Sequence, residues 1–266
     1  MKYLKKFSTH SDYETFTGST DFIRPNVSVC VNEKEVHYNT SNIPIVHEYV
    51  DLGLPSGTLW ATENIKDSNG NELYFAWGET QGYTSGQVGT NKNFDFEGYK
   101  ADYKYGIVDY NDEPNHGMTK YNTIDEKTVL DSEDDAATAN WGSNWKMPTK
   151  EQFLELFANT EYELTTVNGV DGYLLTSTAN TNSLFFPIVG FVGGGRCYCD
   201  VDDGRYWTSS VYDEYIEYDG GGYYNDYVFY SAYFAFIDDY YITEHELLSD
   251  IRCRGFSVRP VRASNS

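Results

Sequence analysis

Apolar and polar positions alternate at both ends of a long stretch of this chain. Glu48-Tyr49-Val50-Asp51-Leu52 near its start and Gly255-Phe256-Ser257-Val258-Arg259-Pro260-Val261 at its close each predict a strand with one face to bury. Between them, Phe153, Leu154, Leu156 and Phe157 fall at helical spacing just after Pro148. A Thr149-Lys150-Glu151-Gln152 capping box precedes them, so a helix is predicted over 149–159. A shorter helix is predicted across Glu133-Asp134-Asp135-Ala136-Ala137-Thr138-Ala139-Asn140. Short strands with Gly and Asn turns follow, including Tyr173-Leu174-Leu175-Thr176 and Ser183-Leu184-Phe185-Phe186-Pro187. No repeat of solenoid type is present.

Residues 1–46 read as a separate small unit. Ser11-Asp12-Tyr13-Glu14 fits a capping box that opens a short helix carrying Tyr13 and Phe16, stopped by Gly18. Val27-Ser28-Val29-Cys30-Val31 alternates as a strand, Asn32-Glu33-Lys34-Glu35 makes a turn, and Val36-His37-Tyr38 returns. So few apolar residues cannot build an independent core, and the piece is expected to dock onto something larger. Asn39-Thr40-Ser41-Asn42-Ile43-Pro44 is the linker.

Composition narrows the function. The chain has 266 residues, 40% hydrophobic and 17% aromatic, which is ample for a folded, loop-rich protein. Its 19 basic and 41 acidic residues give a net charge of -22. That charge argues against nucleic acid, which needs clustered Lys and Arg, and against an anionic membrane surface. The N-terminal Met1–His10 stretch lacks the apolar region of a secretion signal, and no stretch approaches transmembrane length. The cysteines, Cys30, Cys197, Cys199 and Cys253, are spread too unevenly for a disulfide framework. Cys197-Tyr198-Cys199 lacks the two-residue gap of zinc or thioredoxin-like motifs, so reduced thiols are expected.

The strongest compositional signal lies between Arg205 and Arg254, where 11 of the 25 tyrosines gather around Gly220-Gly221-Gly222. Tyrosine offers a stiff amphipathic face at low entropic cost, as in adaptable binding loops. Tyr212, Asp213, Tyr215, Tyr218, Tyr223, Tyr224, Asn225, Asp226 and Tyr227 are therefore the candidate ligand-binding residues. Their rings supply stacking area, and their carboxylates and amides supply directed hydrogen bonds. Tyr230, Tyr233, Phe234 and Phe236 lie in a strand-like run, and at least half of them are expected in the core.

Other motifs weigh less. Glu113-Pro114-Asn115 matches a calcium-side tripeptide of sugar-binding lectins, but the accompanying Trp-Asn-Asp is absent and a polar turn explains it. Asp200, Asp202 and Asp203 beside Gly204 read as a solvated turn. His10, His37, His47, His116 and His245 form no ligand spacing, and neither a nucleophile elbow nor a phosphate loop appears. No catalytic residue, metal or cofactor is expected.

Six blocks resemble one family in order. They are Tyr49-Val50-Asp51-Leu52-Gly53-Leu54-Pro55-Ser56-Gly57-Thr58-Leu59-Trp60-Ala61-Thr62, Tyr74-Phe75-Ala76-Trp77-Gly78-Glu79-Thr80 and Asp134-Asp135-Ala136-Ala137-Thr138-Ala139-Asn140-Trp141-Gly142. Trp145-Lys146-Met147-Pro148-Thr149-Lys150, Tyr206-Trp207-Thr208-Ser209-Ser210 and Gly255-Phe256-Ser257-Val258-Arg259-Pro260-Val261 complete the set. Over about 48–262 they resemble the Fibrobacter succinogenes major paralogous domain of gut Bacteroidales and their phages, and through it the C-type lectin fold of the formylglycine-generating enzyme superfamily. The resemblance implies an α+β domain whose first and last strands pair and whose late loops bind. Diversified members of that fold place hypervariable Tyr, Asp, Asn and Ser just before the terminal strand, and 211–250 looks similar. The five tryptophans, Trp60, Trp77, Trp141, Trp145 and Trp207, all fall inside the blocks and read as core and loop anchors. The enzymes of the superfamily hold copper with a C-terminal cysteine pair, a pattern that Cys197, Cys199 and Cys253 do not reproduce. Phe7-Ser8-Thr9-His10 and Asn26-Val27-Ser28-Val29-Cys30-Val31 resemble leaders of Bacteroidales phage structural proteins.

The expectation is thus an α+β protein: a docking segment at 1–46 with a short helix and hairpin, then a C-type lectin-like domain at 47–266. Function is expected to be non-catalytic display or adhesion on a virion, as a head fibre, decoration or tail adhesin. Such a protein is made in the host cytoplasm without a secretion signal. Residues 1–46 would engage virion structural proteins, and the tyrosine window a host cell-surface glycan or protein, in a homo-oligomer (trimer or dimer). The alternatives are a structural decoration or fibre subunit whose aromatic surface makes oligomer contacts, and a formylglycine-generating-type oxidase.

Overall fold

A computed structural model describes 47–95, 102–106, 118–122, 124–199, 201, 203–212, 247–264 and the isolated Ala232 and Ala235, and the backbone of the strands at 4–7, 28–31, 34–37, 216–218, 227–229 and 231–237. The chain divides into two compact units, Met1–Glu48 and Tyr49–Ser266. It is α+β, with strands far outnumbering helices among the described residues.

In the first unit, β1 (Leu4–Phe7), β2 (Ser28–Val31) and β3 (Lys34–His37) form one sheet. β2 and β3 make an antiparallel hairpin in which Val31 lies opposite Lys34. The turn is therefore tighter than the predicted Asn32–Glu35, because Lys34 and Glu35 already belong to the returning strand. β1 runs parallel to β2, with Leu4 opposite Ser28 and Phe7 opposite Val31. The helix predicted from Ser11 lies outside the described residues.

The second unit begins with β4 (Tyr49–Asp51), β5 (Thr58–Ala61) and β6 (Phe75–Ala76), followed by helices α1 (Ala136–Trp141) and α2 (Lys150–Ala158). Next come β7 (Thr160–Val167), β8 (Val170–Ser177), β9 (Ser183–Pro187), β10 (Phe191–Gly193), β11 (Arg196–Tyr198) and β12 (Gly204–Val211). β13 (Ile216–Tyr218), β14 (Tyr227–Phe229), β15 (Ser231–Ile237), β16 (Leu247–Ile251), β17 (Gly255–Phe256) and β18 (Val261–Ala263) complete it. They assemble as β18-β5-β4, β11-β10-β17-β6, β12-β15-β16, β7-β8-β9 and β13-β14.

Several expectations change here. The last strand pairs with the second strand of the domain, not the first: Val261 lies opposite Trp60, and β4 is the outer member. Burial accounts for this. β5 is buried at all four positions and needs partners on both edges, whereas β4 alternates with two of its three residues exposed. Nor is Gly255–Val261 one half-exposed strand, since all seven residues are buried. The segment crosses between sheets. Phe256 pairs with Phe75, the Trp207 amide donates to the Ser257 carbonyl, and the Ala61 amide donates to that of Pro260.

The α2 helix forms as its capping box requires. Thr149 accepts from the Gln152 amide, and the Gln152 side chain accepts from the Thr149 amide. Phe153, Leu156 and Phe157 point inward, but Leu154 is exposed, because one residue turns the helix by about 100°. The α1 helix starts later than predicted, at Ala136, since Asp135 caps it by accepting from the Thr138 amide at 2.8 Å. Between β7 and β8, Asn168 and Gly169 have φ of 52° and 80°, the left-handed pair that a two-residue hairpin turn needs.

Two hydrophobic clusters form the core. One gathers Trp77, Trp145, Trp207, Phe256, Tyr103, Tyr105 and Tyr121 among others. The second gathers Trp60, Phe153, Leu156, Tyr173, Phe186 and Tyr206. Trp141 packs half-buried against the first, so the tryptophans serve as anchors. The cysteine expectation fails: Cys197 and Cys199 are joined as a disulfide. Cys197 lies in β11 and Cys199 just past its end, where their Cα atoms stand 5.4 Å apart. Among the described residues no helix is long and apolar enough to cross a membrane.

Candidate binding surface

The tyrosine-rich window is the excursion that leaves β12 and returns through β15 and β16. β15 lies between its two partners, with Gly204 opposite Ile237 and Ala232 opposite Asp250. Between Trp207 and Val211 the β12 ladder shifts: four steps on β12 match two on β15, from Phe234 to Ala232. The extra residues bulge and re-aim the strand. The bulge is tied from the other side. The Trp77 indole donates to the Thr208 carbonyl at 2.8 Å, the Leu130 amide to that of Ser209 and the Val211 amide to that of Thr128. The chain thus leaves the core at Val211 in a direction set by buried bonds.

Beyond that exit stands a two-stranded ribbon, β13 with β14, in which Ile216 lies opposite Phe229 and Tyr218 opposite Tyr227. Of the nine candidate residues, Tyr212 is half-buried at the exit of β12, and Tyr218 and Tyr227 are brought into register. Asp213, Tyr215, Tyr223, Tyr224, Asn225 and Asp226 lie outside the described residues. So does Tyr230, and of Tyr233, Phe234 and Phe236 only the backbone, in β15, is described.

The base of the excursion carries charge chemistry. The two arginines that bound the window converge on one carboxylate, Asp250. Arg205 donates to its Oδ2 at 3.3 Å, and Arg254 Nε stands 3.9 Å from its Oδ1. Burial pushes the Asp250 carboxyl up, against the pull of both guanidiniums. Arg205 also donates to Asp203 from Nε and Nη2, and its guanidinium lies 3.7 Å from the centre of the Phe191 ring. Tyr198 stacks on the same Phe191, with ring centres 4.7 Å apart and planes 11° apart, and is 37% exposed. Phe191 and Tyr198 were not among the sequence candidates. Tyr198 drew notice only as the middle of Cys197-Tyr198-Cys199, and no periodicity joins it to Arg205.

The carboxylates of Asp131, Glu133 and Asp134 converge closely enough to hold a metal ion. Lysines occupy that position instead: Lys120 lies 2.6 Å from Asp131 and from Asp134, and Lys104 lies 2.9 Å from Asp134. Burial would raise the Asp134 pKa, yet hydrogen bonds from Lys120, Tyr105, Tyr121 and Lys104 hold it well below the usual carboxylate range. Asp203 is taken by Arg205. Glu113-Pro114-Asn115, Asp200 and Asp202 lie outside the described residues. A cleft of about 630 Å³ runs past Thr58, Asp135, Lys146, Thr149, Gln152 and Arg262. Several of its polar groups are engaged in caps and turns: Asp135 accepts from the Thr138 and Met147 amides, and Gln152 donates to Thr58. Cys253 is buried, and burial pushes its thiol up, away from the reactive thiolate.

No family model, characterised protein or solved structure matches the chain at a significant level.

Proposed function

We propose that the chain is a non-catalytic display or adhesion protein of a virion, a head fibre, decoration or tail adhesin, whose tyrosine window grips a host-associated glycan or protein. In this reading the second unit is C-type lectin-like, and residues 1–46 attach it to the particle. The observation that supports it most is the placement of the 205–254 window. Ten of the window's eleven tyrosines follow Val211 in sequence, where the chain leaves a buried bulge braced at its root by Arg205, Asp250 and Arg254; the eleventh, Tyr206, is core. Such bracing lets a loop present rigid aromatic anchors at low ordering cost. Weak single contacts suffice when many copies share one particle.

The test is binding of the full chain, immobilised at high density, to a panel of bacterial-surface and mucin-type oligosaccharides and to intact bacterial cells. Parent protein is compared with a variant carrying Tyr223→Ser, Tyr224→Ser and Tyr227→Ser. Retention by the parent and its loss in the variant supports the reading. Equal retention by both, or binding by neither across the panel, removes it.

A further inference from the structure

Lys92 is a buried lysine, 5% exposed, whose ammonium lies between two carboxylates and an aromatic ring. Both Glu79 oxygens stand 2.9 Å from Nζ, Asp102 Oδ1 stands 3.7 Å away, and the centre of the buried Phe94 ring 5.7 Å away. Nζ also donates to the backbone carbonyl of Asp102. Glu79 is buried as well. Charges placed here give up hydration that their mutual attraction repays poorly, so a reaction that removes an ion pair is favoured.

The two carboxylates are held differently. Glu79 turns both oxygens to Nζ, and its Oε1 also accepts the Lys104 amide at 2.8 Å. The Asp102 oxygens are gripped by backbone instead: the Asn93 amide donates to Oδ2 and the Asp95 amide to Oδ1 at 3.1 Å. Between those two amides Phe94 has φ of 55°. A left-handed backbone at so bulky a residue is an outlier that marks a constraint. Here it accompanies two amides converging on one carboxyl group, as in the backbone nests that hold anions. Donors on both oxygens make the carboxyl carbon a better electrophile and hold the oxyanion formed when a nucleophile adds to it.

We propose that Lys92 and Asp102 condense into an internal amide crosslink, with Glu79 as the proton carrier. The Lys92 ammonium gives a proton to Glu79, and the freed amine attacks Cγ of Asp102. The C–N bond forms as a C–O bond breaks, and the departing oxygen takes both protons lost by the nitrogen and leaves as water. One positive and one negative charge disappear, Glu79 ends as it began, and nothing is oxidised or reduced. Condensation of an amine with a carboxylate is unfavourable between free molecules in water. Groups held in contact act at effective molarities of about 10⁵–10⁸ M, which is enough to drive it forward. The crosslink lies outside the tyrosine window and stands or falls independently of what that window binds.

The mass of the full chain, denatured and with its disulfide reduced, tests the proposal. The parent is expected one water lighter than its sequence, and its digest is expected to contain a branched peptide joining Lys92 to Asp102. Lys92→Arg and Asp102→Ala are each expected at full sequence mass. Glu79→Gln keeps an acceptor for the Lys104 amide but cannot take a proton, and is expected to slow crosslinking by about 100-fold or more. Its far-ultraviolet circular dichroism, matched to the parent's, shows that it folds. The parent's mass decides the matter whether or not a variant folds: full sequence mass after prolonged incubation in the folded state overturns the proposal. A branched peptide joining Lys92 to Glu79 overturns it too, and a folded Glu79→Gln that crosslinks as fast as the parent removes Glu79 as the carrier.

Discussion

The first hydrophobic cluster is assembled mostly from irregular segments, the second from a helix and strands. In the second, Phe153 of α2 packs on Trp60 and Phe186 in one cluster with Tyr173 and Leu175 of β8, and the ladders of the sheet satisfy the backbone. The first has few ladders, so the polar heads of its aromatic residues do that work. Tyr103 donates to the Trp77 carbonyl, Trp77 to that of Thr208 and Trp207 to that of Phe75, each at 2.8 Å. Each cluster also holds one buried arginine. Arg252 lies 4.7 Å from the Trp77 ring centre and donates to the Tyr121 carbonyl; Arg259 lies 4.5 Å from that of Phe186 and donates to Asn64 and to the Ala61 and Phe185 carbonyls. A loop-built core must thus spend its largest side chains on hydrogen bonds as well as on packing.

The sharpest test of that contrast replaces one large ring in each cluster. Trp207→Ala removes a ring stacked 4.2 Å from Phe256 and also strips the Phe75 carbonyl of its donor. We expect a loss of about 4 kcal/mol in urea unfolding. Phe153→Ala loses packing alone and is expected to cost less, about 3 kcal/mol. A larger loss for Phe153→Ala would break the comparison. Arg259→Met comes next: three acceptors lose a buried donor, at a cost of about 3 kcal/mol in the same measurement. Arg259→Lys should recover only part of it, because a single ammonium cannot reproduce the planar fork.

The same contrast governs what could be read in advance. The capping box at Thr149 and the alternation in Tyr173–Thr176 and Ser183–Pro187 are local signals, and the second cluster formed from them. Periodicity has nothing to say about Tyr103, Tyr121 or Arg252, whose partners lie 26, 13 and 131 residues away in sequence. Gly255–Val261 looked like a half-exposed strand because Ser257 and Arg259 are polar, yet both are buried among distant groups. The window's composition was plain in the sequence. Its root was not, since Arg205, Phe191 and Asp250 meet only in the folded chain.

Two carboxyls sharpen the comparison through pH. Asp134, beside the first cluster, has its pKa held below the ordinary value. Its stabilising contribution is therefore fully present above the usual carboxylate range and is lost as pH falls below that range through the lowered value. Burial raises the Glu72 pKa, against the Asn64 amide and the Arg259 charge. Its charge is a cost at neutral pH, relieved as pH falls through the raised value. Asp134→Asn should cost about 2 kcal/mol at neutral pH, with the difference from the parent narrowing in acid. Glu72→Gln should be neutral or stabilising by up to about 1 kcal/mol at neutral pH, a gain that fades in acid as Glu72 itself protonates. Parallel pH profiles for the two variants would show that both carboxyls sit in equivalent surroundings.

The helix caps give the smallest effects and separate a local bond from a bridging one. Thr149 caps α2 within its own first turn, so Thr149→Ala is expected to cost about 1 kcal/mol in thermal unfolding. Asp135 caps α1 and also accepts from the Met147 amide at 2.9 Å, joining the helix to the loop that carries Trp145. Asp135→Ala should therefore approach the upper end for a cap, about 2 kcal/mol. Asp135→Ser, short enough for the cap but not for the bridge, should fall between them. If Ser restores the parent's stability in full, the bridge to Met147 contributes nothing, and the first cluster is held by packing in the same manner as the second.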